Sequence, residues 1–402
     1  MSQNTSHLKK NHSYTVRVLK PTEINSRLID AWDELEARAI VPNAFLSPHF
    51  VLPALRYLES SDNTFGLFVE KSSGGLPELA GVALFQARKP TRKFPLKHLA
   101  AFASMHSYLS DFLIDQEDAH HALKEIYGYL TNKRHAWHGL YLNNISVEGL
   151  FTEEAQAIAT DFGMKWKLFE QWSRAIFLPG QLEQDPLAHL SRGQKKNHYR
   201  NQRKLQELGT LEWVVQRGTQ SLQKSIEEFV HLEHMGWKGE GGTSLYSNAN
   251  HLRFFIEMMT GFNQKGRAFF TELRLNGKNI ASTSNLISGK VGFGFKVGWD
   301  IEYAKYGPGT INEIKALEDG YKYISDLEYM DSSAGPDSYM NDLWPRRREL
   351  CEGMFCLTPA GRAALASVEI ARKLKNTLFR RRYKIAKGNG QPLPSEHSET
   401  TS

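Results

Sequence analysis

The stretch KVGFGFKVGWDIEYAKYGPGTINE, running from Lys290 to Glu313, decides how the rest of the chain is read. Val291, Phe293, Phe295, Val297 and Trp299 alternate with Gly292, Gly294, Lys296 and Gly298. Side chains of a strand point alternately to opposite faces, so this period of two predicts a strand over Lys290 to Trp299. The strand runs into Tyr306-Gly307-Pro308-Gly309, a tight loop. Thr310 follows, with Glu313 three residues later, the spacing of a capping box that opens a helix. Ile311, Ile314, Leu317 and Tyr321 recur every three or four residues and give that helix one apolar face. A helix N-terminus offers free backbone N–H groups and the positive end of the helix dipole, so phosphate is its natural guest. The same residues also read as a plain turn with a capped helix, and the loop alone does not separate the two.

The flanking sequence turns this stretch into part of a domain. Ala268 to Leu275 and Lys278 to Ile287 are strands joined by Asn276-Gly277, the signature of a type I′ hairpin turn. Ser288-Gly289 turns the chain again into the alternating strand, and Ile324 to Met330 supplies a strand after the helix. Upstream lie a basic helix, Ser191 to Glu207, a strand, Leu211 to Gln216, and helices over Ser221 to Gly236 and Leu252 to Gly261. The first half shows the same order. It has a strand at Tyr14 to Leu19, helices within Pro21 to Ala39 and Pro48 to Leu58, and a hairpin of Thr64 to Glu70 with Leu79 to Ala87. Arg88 to Lys97 reads as a basic loop and Ser110 to Ile114 as a short strand. Helices follow at Ala119 to Thr131 and Glu153 to Phe162, with Gly163 as a C-terminal stop. Strands are expected at Gly139 to Leu142, Lys165 to Leu168 and Ser173 to Phe177. Leu178 to Leu190 contains Pro179, Gly180 and Pro186 and no periodicity, which places a domain junction there. The expected fold class is therefore α/β (α+β), as two tandem domains of one type, each a mixed, mainly antiparallel sheet flanked by helices. The expected boundaries are 14–185 and 186–360, between a disordered lead-in (1–13) and a basic C-terminal helix (361–388) with a disordered tail (389–402).

Composition limits the alternatives. The 402 residues are 41% hydrophobic and 23% charged, as in a globular protein. No apolar run reaches the roughly 18 residues a membrane-spanning helix needs. Cys351 and Cys356 are the only cysteines, too few for a disulfide framework, so a reducing cytoplasm is expected. The net charge of +6 is mild, but two basic runs stand out, Arg192 to Lys204 and Arg372 to Lys387. The first lacks the aromatic interleaving of a nucleic-acid site and reads as a solvated helix face, so no specific nucleic acid is expected. The second carries Ile370, Leu374, Leu378 and Phe379 and reads as a helix packed on the body, with peripheral contact to an anionic membrane as the alternative. His231 and His234 share a helix with Glu227 and Glu228 but have no further ligand set, so no metal is expected.

The residues Gly298-Trp299-Asp300-Ile301-Glu302-Tyr303-Ala304-Lys305-Tyr306-Gly307-Pro308-Gly309 resemble the signature of the CelD-type (cellulose-biosynthesis-associated) GNAT acetyltransferases. Ala316, Gly320 and Asp326 fall where that pattern has a small residue, a glycine and an aspartate. Lys195 to Arg203 is similar to the basic helix that opens the domain, and Trp237-Lys238-Gly239, with Gly242 and Ser244, to its Trp-Lys-Gly segment. The resemblance covers Ser191 to Pro345; Phe45-Leu46-Ser47-Pro48 and Ser110-Asp111-Phe112 fit the first half more loosely. Two positions depart from the pattern. Ala304 stands where the phosphate loop usually has Arg or Gln, and Pro308 withholds one N–H donor. Met340 follows Tyr339 where a lysine is usual, with Lys305 or the Arg346-Arg347-Arg348 cluster as substitutes.

The resemblance implies transfer of an acyl group from acyl-CoA to an amine of a small molecule, a sugar or a cell-envelope precursor, with polysaccharide biosynthesis as a setting. It puts the diphosphate on the N–H groups of Gly307, Gly309, Thr310 and Ile311, and the pantetheine arm beside Gly298. An attacking amine must lose a proton, so a general base is needed; Asp300, Asp331 and Asp326 are the candidates. Tyr303 and Tyr339 are candidate acids for the leaving thiolate, and Trp237, Lys238 and Asp326 candidate contacts to the acceptor. Two alternatives remain: a Fem-type transferase fed by aminoacyl-tRNA, and a catalytically degenerate scaffold with a binding role.

Overall fold

The computed structural model describes residues 12–72, 76–147, 150–181, 185–235 and 244–388. Its strands are β1 (Ser13–Leu19), β2 (Thr64–Ser72), β3 (Glu78–Arg88), β4 (His98–Ala101), β5 (Leu113–Ile114), β6 (Gly139–Ser146), β7 (Lys165–Phe177), β8 (Leu211–Arg217), β9 (Ala268–Leu275), β10 (Lys278–Ser288), β11 (Val291–Trp299), β12 (Tyr329–Asp331) and β13 (Arg346–Cys356). The helices are α1 (Ser26–Ala37), α2 (Pro48–Tyr57), α3 (Ala119–Thr131), α4 (Leu150–Asp161), α5 (Arg192–Gln206), α6 (Thr219–Met235), α7 (Ala249–Gln264), α8 (Pro308–Asp319), α9 (Met340–Leu343) and α10 (Pro359–Gly388). The expected α/β class is what the chain adopts: one large, mostly antiparallel sheet flanked by helices.

The sheet order is β1-β2-β3-β4-β6-β13-β7-β12-β11-β10-β9-β8, with β5 added at β3. Among the described residues two strand pairs are parallel, β4 with β6 and β11 with β12. The first half thus reads β1-β2-β3-β4-β6 and the second β8-β9-β10-β11-β12, with the parallel pair in the same place. Between them lie β13 and β7, each beside the other half's strands. β13 pairs with β6, and β7 pairs with β12. The two exchanged strands also pair with each other from Arg346 opposite Ile176 to Cys356 opposite Lys165.

Several features differ from the sequence reading, and the strand expected at Ile324 to Met330 is reduced to Tyr329–Asp331. β13 and β4 were not expected as strands: Arg346-Arg347-Arg348-Glu349 reads as a charged cluster, although Leu350, Cys351, Met354, Phe355 and Cys356 are buried. β7 is one strand of 13 residues rather than two. Helix α8 starts at Pro308, not Thr310. Gly307, at φ 63°, is its N-cap and Pro308 occupies the first helical position, where its missing N–H costs nothing. The Thr310–Glu313 capping box therefore does not form. The Asn276-Gly277 turn has positive φ at both residues (51° and 79°), as a type I′ turn requires.

Packing follows the same two-half plan. α1 and α2 meet α6 and α7 in one shared core, where Phe45, Phe50, Phe254, Phe293 and Phe295 contact edge to face. On the opposite face α3 and α4 cover the first half, while α8 covers the second. The last helix, α10, touches the body through Leu365 and exposes Ile370 and Leu374. No helix among the described residues is long and apolar enough to cross a membrane.

Candidate active site

The site is built where β11 and β12 part. The two strands pair only over Val291–Phe293 and Tyr329–Asp331. Past Asp331 the chain crosses to β7, with the Ser332 N–H donating to Ala175 O at 3.0 Å. Beyond Phe293 β12 no longer pairs with β11, and a gap opens from Gly294. A bulge aids the opening: Ser284 faces Lys296 and Asn285 faces Gly294, so Phe295 is an extra residue without a partner on β10. The loop on the other side of the gap is pinned by Asn341, which accepts from Ala175 N and donates to Gly335 O and Pro336 O.

Two cavities adjoin here. The inner, about 190 Å³, lies in the gap, between Gly294–Val297 on one side and Ser332–Ala334 on the other; Glu313, Thr283 and Met340 also line it. The outer, about 260 Å³, lies between α5 and the start of α8, against Gln194, Asn197, His198, Asn201, Gly307 and Thr310. Tyr339 lines both.

The helix start supplies the outer cavity with donors. Gly307 N–H donates to Ala304 O at 2.9 Å and Ile311 N–H to Gly307 O at 3.0 Å, so both are engaged. The N–H groups of Gly309 and Thr310 have no acceptor among the described residues. Gly309 rests on Trp299, 3.5 Å from where a Cβ would stand. Lys305 sits 5.0 Å above the Tyr306 ring, which lines the same cavity.

The inner cavity holds a titratable group that sequence reasoning assigned to the helix cap. Glu313 is buried, and burial pushes its carboxyl up to about 7, although the Thr283 hydroxyl and the Trp344 indole oppose that rise. Thr283 Oγ1 donates to it at 2.6 Å, and Asn312 in turn donates to Thr283 and Thr271. Burial and the Glu313 carboxylate raise the Tyr339 phenol. The signal was present in the sequence, since Glu313 falls on the apolar face set by Ile314 and Leu317.

The other expected site residues are spread around this gap. Asp300 is buried at the N-cap of the short 3-10 helix Ile301–Tyr306; it accepts from Glu302 N and from Lys278 Nζ, and lines neither cavity. Tyr303 packs near Leu205 and Ile311, with Lys278 Nζ 5.8 Å from its ring. Asp331 is buried at the base of the gap, gripped by Arg348 at 2.9 Å, with Arg174 at 3.8 Å and the Ser333 N–H at 2.7 Å. Asp326 lies on the surface in a bidentate pair with Arg217. Gly298 is accounted for by packing on the far face: a Cβ there would stand 2.8 Å from Glu233 N on α6. Trp237 and Lys238 lie outside the described residues. Of the two proposed substitutes for the lysine absent at Met340, Lys305 stands by the cleft, next to Tyr306, whereas Arg348 is locked on Asp331 and Arg347 donates to Trp344 O. Among the described residues no cluster of His, Cys, Asp and Glu could hold a metal ion.

Strand, splayed gap, glycine loop and helix together define a class of fold, and the family comparison agrees. Residues 192–340 match the family described as Acetyltransferase (GNAT) domain. The match runs from the start of α5 to the start of α9, within the second half of the chain. A conserved protein of unknown function from Bacteroides thetaiotaomicron shares the fold at a TM-score of 0.55 and 13% identity, over 86% of this chain and 100% of that one. FemX does so at a TM-score of 0.53 and 12% identity, over 84% and 96% of the two chains. No curated protein matches the sequence.

Proposed function

We propose that this chain is an N-acyltransferase that takes its acyl group from acyl-CoA and passes it to an amine of a small molecule, a sugar or a cell-envelope precursor. The observation that carries this reading is the gap between β11 and the chain after β12, open at one end onto the unpartnered N–H groups at the start of α8. The gap is a slot for an extended arm, and the helix start is a socket for phosphate. The GNAT family match supports the same reading.

In this reading the diphosphate lies in the outer cavity and the pantetheine arm runs along Gly294–Val297 in the inner one. The amine attacks the thioester carbonyl; a C–N bond forms and the C–S bond breaks. The amine proton passes to a base, and the leaving thiolate takes a proton from an acid. Glu313 is the base we favour, because a carboxyl titrating near 7 is partly ionised at neutral pH and can accept a proton without being a poor donor afterwards. Tyr339, at the junction of the cavities, is the acid. Asp331 and Asp300 are held by cations and are weaker candidates for the base.

Calorimetry with acetyl-CoA, longer acyl-CoAs and free CoA tests the donor. Binding of the CoA series is expected, and absence of binding at millimolar CoA by folded protein would reject the reading. The basic outer face of α5 beside the cleft favours one second reading, an aminoacyl-tRNA donor. Salt-dependent tRNA binding without CoA binding would select it.

A further inference from the structure

The face of α5 turned toward the outer cavity carries none of that helix's cations. Gln194, Asn197, His198 and Asn201 stand at the spacing of one helical face and line the cavity. The lysines and arginines of the same helix lie on its other sides; Lys195, for instance, pairs with Asp185. The hydrogen bonds of this face fix which ends of its side chains are free. Gln194 Oε1 accepts from Ser191 N at 2.9 Å, and Asn197 Oδ1 accepts from Arg200. Each amide oxygen therefore already accepts one bond, and the NH₂ donors are left over. His198 is 5% exposed, and neither ring nitrogen has a partner among the described residues. A buried imidazole without a partner is costly, so its placement against a cavity needs a reason. Across the cavity stand Gly307 and Thr310 in the first turn of α8, where the Thr310 N–H, like that of the adjacent Gly309, has no acceptor among the described residues.

We propose that this face of α5 is a second wall of the donor site, holding the donor's diphosphate against the α8 N-terminus, with His198 as its central ligand. The wall is made of neutral donors, so it supplies hydrogen bonds in place of the loop cation absent at Ala304. This inference rests on the acyl-CoA reading for the identity of the donor, and on the cavity alone for the anion. Burial holds the His198 imidazole below its ordinary range; Lys315 on α8 adds to that and Glu318 on α8 opposes it. Tyr199 on α5, Tyr306, Tyr339 and Asp342 complete the titratable surroundings. A diphosphate seated beside His198 favours the imidazolium, so binding takes up a proton and tightens as pH falls.

The test is calorimetry from pH 5.5 to 7.5 with dephospho-CoA, CoA, pantetheine and inorganic pyrophosphate, on the full chain and on His198→Asn and His198→Gln. Dephospho-CoA carries only a diphosphate diester, whose charge is constant over that range. Loss of the His198 hydrogen bond should weaken dephospho-CoA and CoA about 10- to 100-fold, leave pantetheine unchanged and flatten the pH slope. His198→Gln, whose longer side chain carries its uncharged amide donor nearer the position of Nε2, should bind more tightly than His198→Asn, and neither should show a slope. Equal dephospho-CoA affinity and slope in all three proteins would overturn the inference while leaving the acyl-CoA reading standing. Pyrophosphate bound by the native chain and lost in His198→Asn, with no CoA bound, would keep the anion wall and reject the donor. Absence of binding by all four probes would reject both.

Discussion

Two buried carboxylates a few residues from one gap behave in opposite ways, because their neighbours differ. Asp331 faces Arg348 and Arg174, and neutralising it strands two buried guanidinium groups. Asp331→Asn should therefore destabilise the fold by about 3–5 kcal/mol, read from denaturant unfolding. Glu313 makes no ion pair among the described residues and meets Thr283 and the Trp344 indole. Its folded-state pKa lies above its ordinary value of 4.5, so the protonated form favours the native state. That contribution is complete below about pH 4.5 and is lost as pH rises through about 7. Asp111, buried and also pushed up to about 7, adds a loss of the same sign. Glu313→Gln should shrink the fall in melting temperature between pH 4.5 and 7.5, with the Asp111 part remaining. If Glu313 is the base, the same variant should lower kcat about 100-fold or more, and the limb near pH 7 should vanish from the rate profile. Retained kcat with the altered melting profile would confine Glu313 to a structural role.

Helix α8 carries the clearest prediction at the scale of an element. Its first turn has room for a Cβ at Gly309, at ordinary contact distance from Trp299 and Val297. An acidic side chain there gains from the helix dipole but is buried against Trp299, so Gly309→Asp should lower the melting temperature modestly while the protein stays folded. The same carboxylate puts a negative charge in the turn that offers the free N–H groups, so CoA binding should disappear, whereas Gly309→Ala should retain most of it. Unaltered CoA affinity in Gly309→Asp would move the phosphate elsewhere. Gly298→Ala is the contrasting case: its Cβ would press on the α6 backbone, and a loss of about 1–3 kcal/mol in stability is expected. These elements also show what a sequence can and cannot reveal. The alternation of Val291 to Trp299 and the Asn276-Gly277 turn were legible, because strand faces and positive φ impose residue types locally. The polar face of α5 was not, because the basic residues between its members dominate the composition. Glu313 was misassigned because capping-box spacing says nothing of what a carboxylate meets across the sheet.

Across the whole molecule, β13 was the element least legible and the one most exposed to long-range context. Its charged half is read correctly only once Glu349 is seen to accept from Ser173, and Arg348 to meet Asp331. Ser173 is 176 residues away and Asp331 17, both beyond any local pattern. The exchange of β7 and β13 predicts that the halves are not independent. Separately produced fragments 1–185 and 186–402 should each lack a cooperative thermal transition. Mixed during refolding, they should give one, followed by circular dichroism and gel filtration. Two independent transitions in the intact chain would contradict this.

The exchange also sets an order of events on the ribosome. β6 gains its inner neighbour only when β13 has been made, long after β7 has emerged. At typical synthesis rates the delay is roughly 10–30 s. Throughout that interval the first half presents an open strand edge, the surface on which nascent chains mispair. Slowing translation would lengthen this exposure, so faster elongation between Phe177 and Arg346, or a chaperone that shields β6, should raise the yield of native protein.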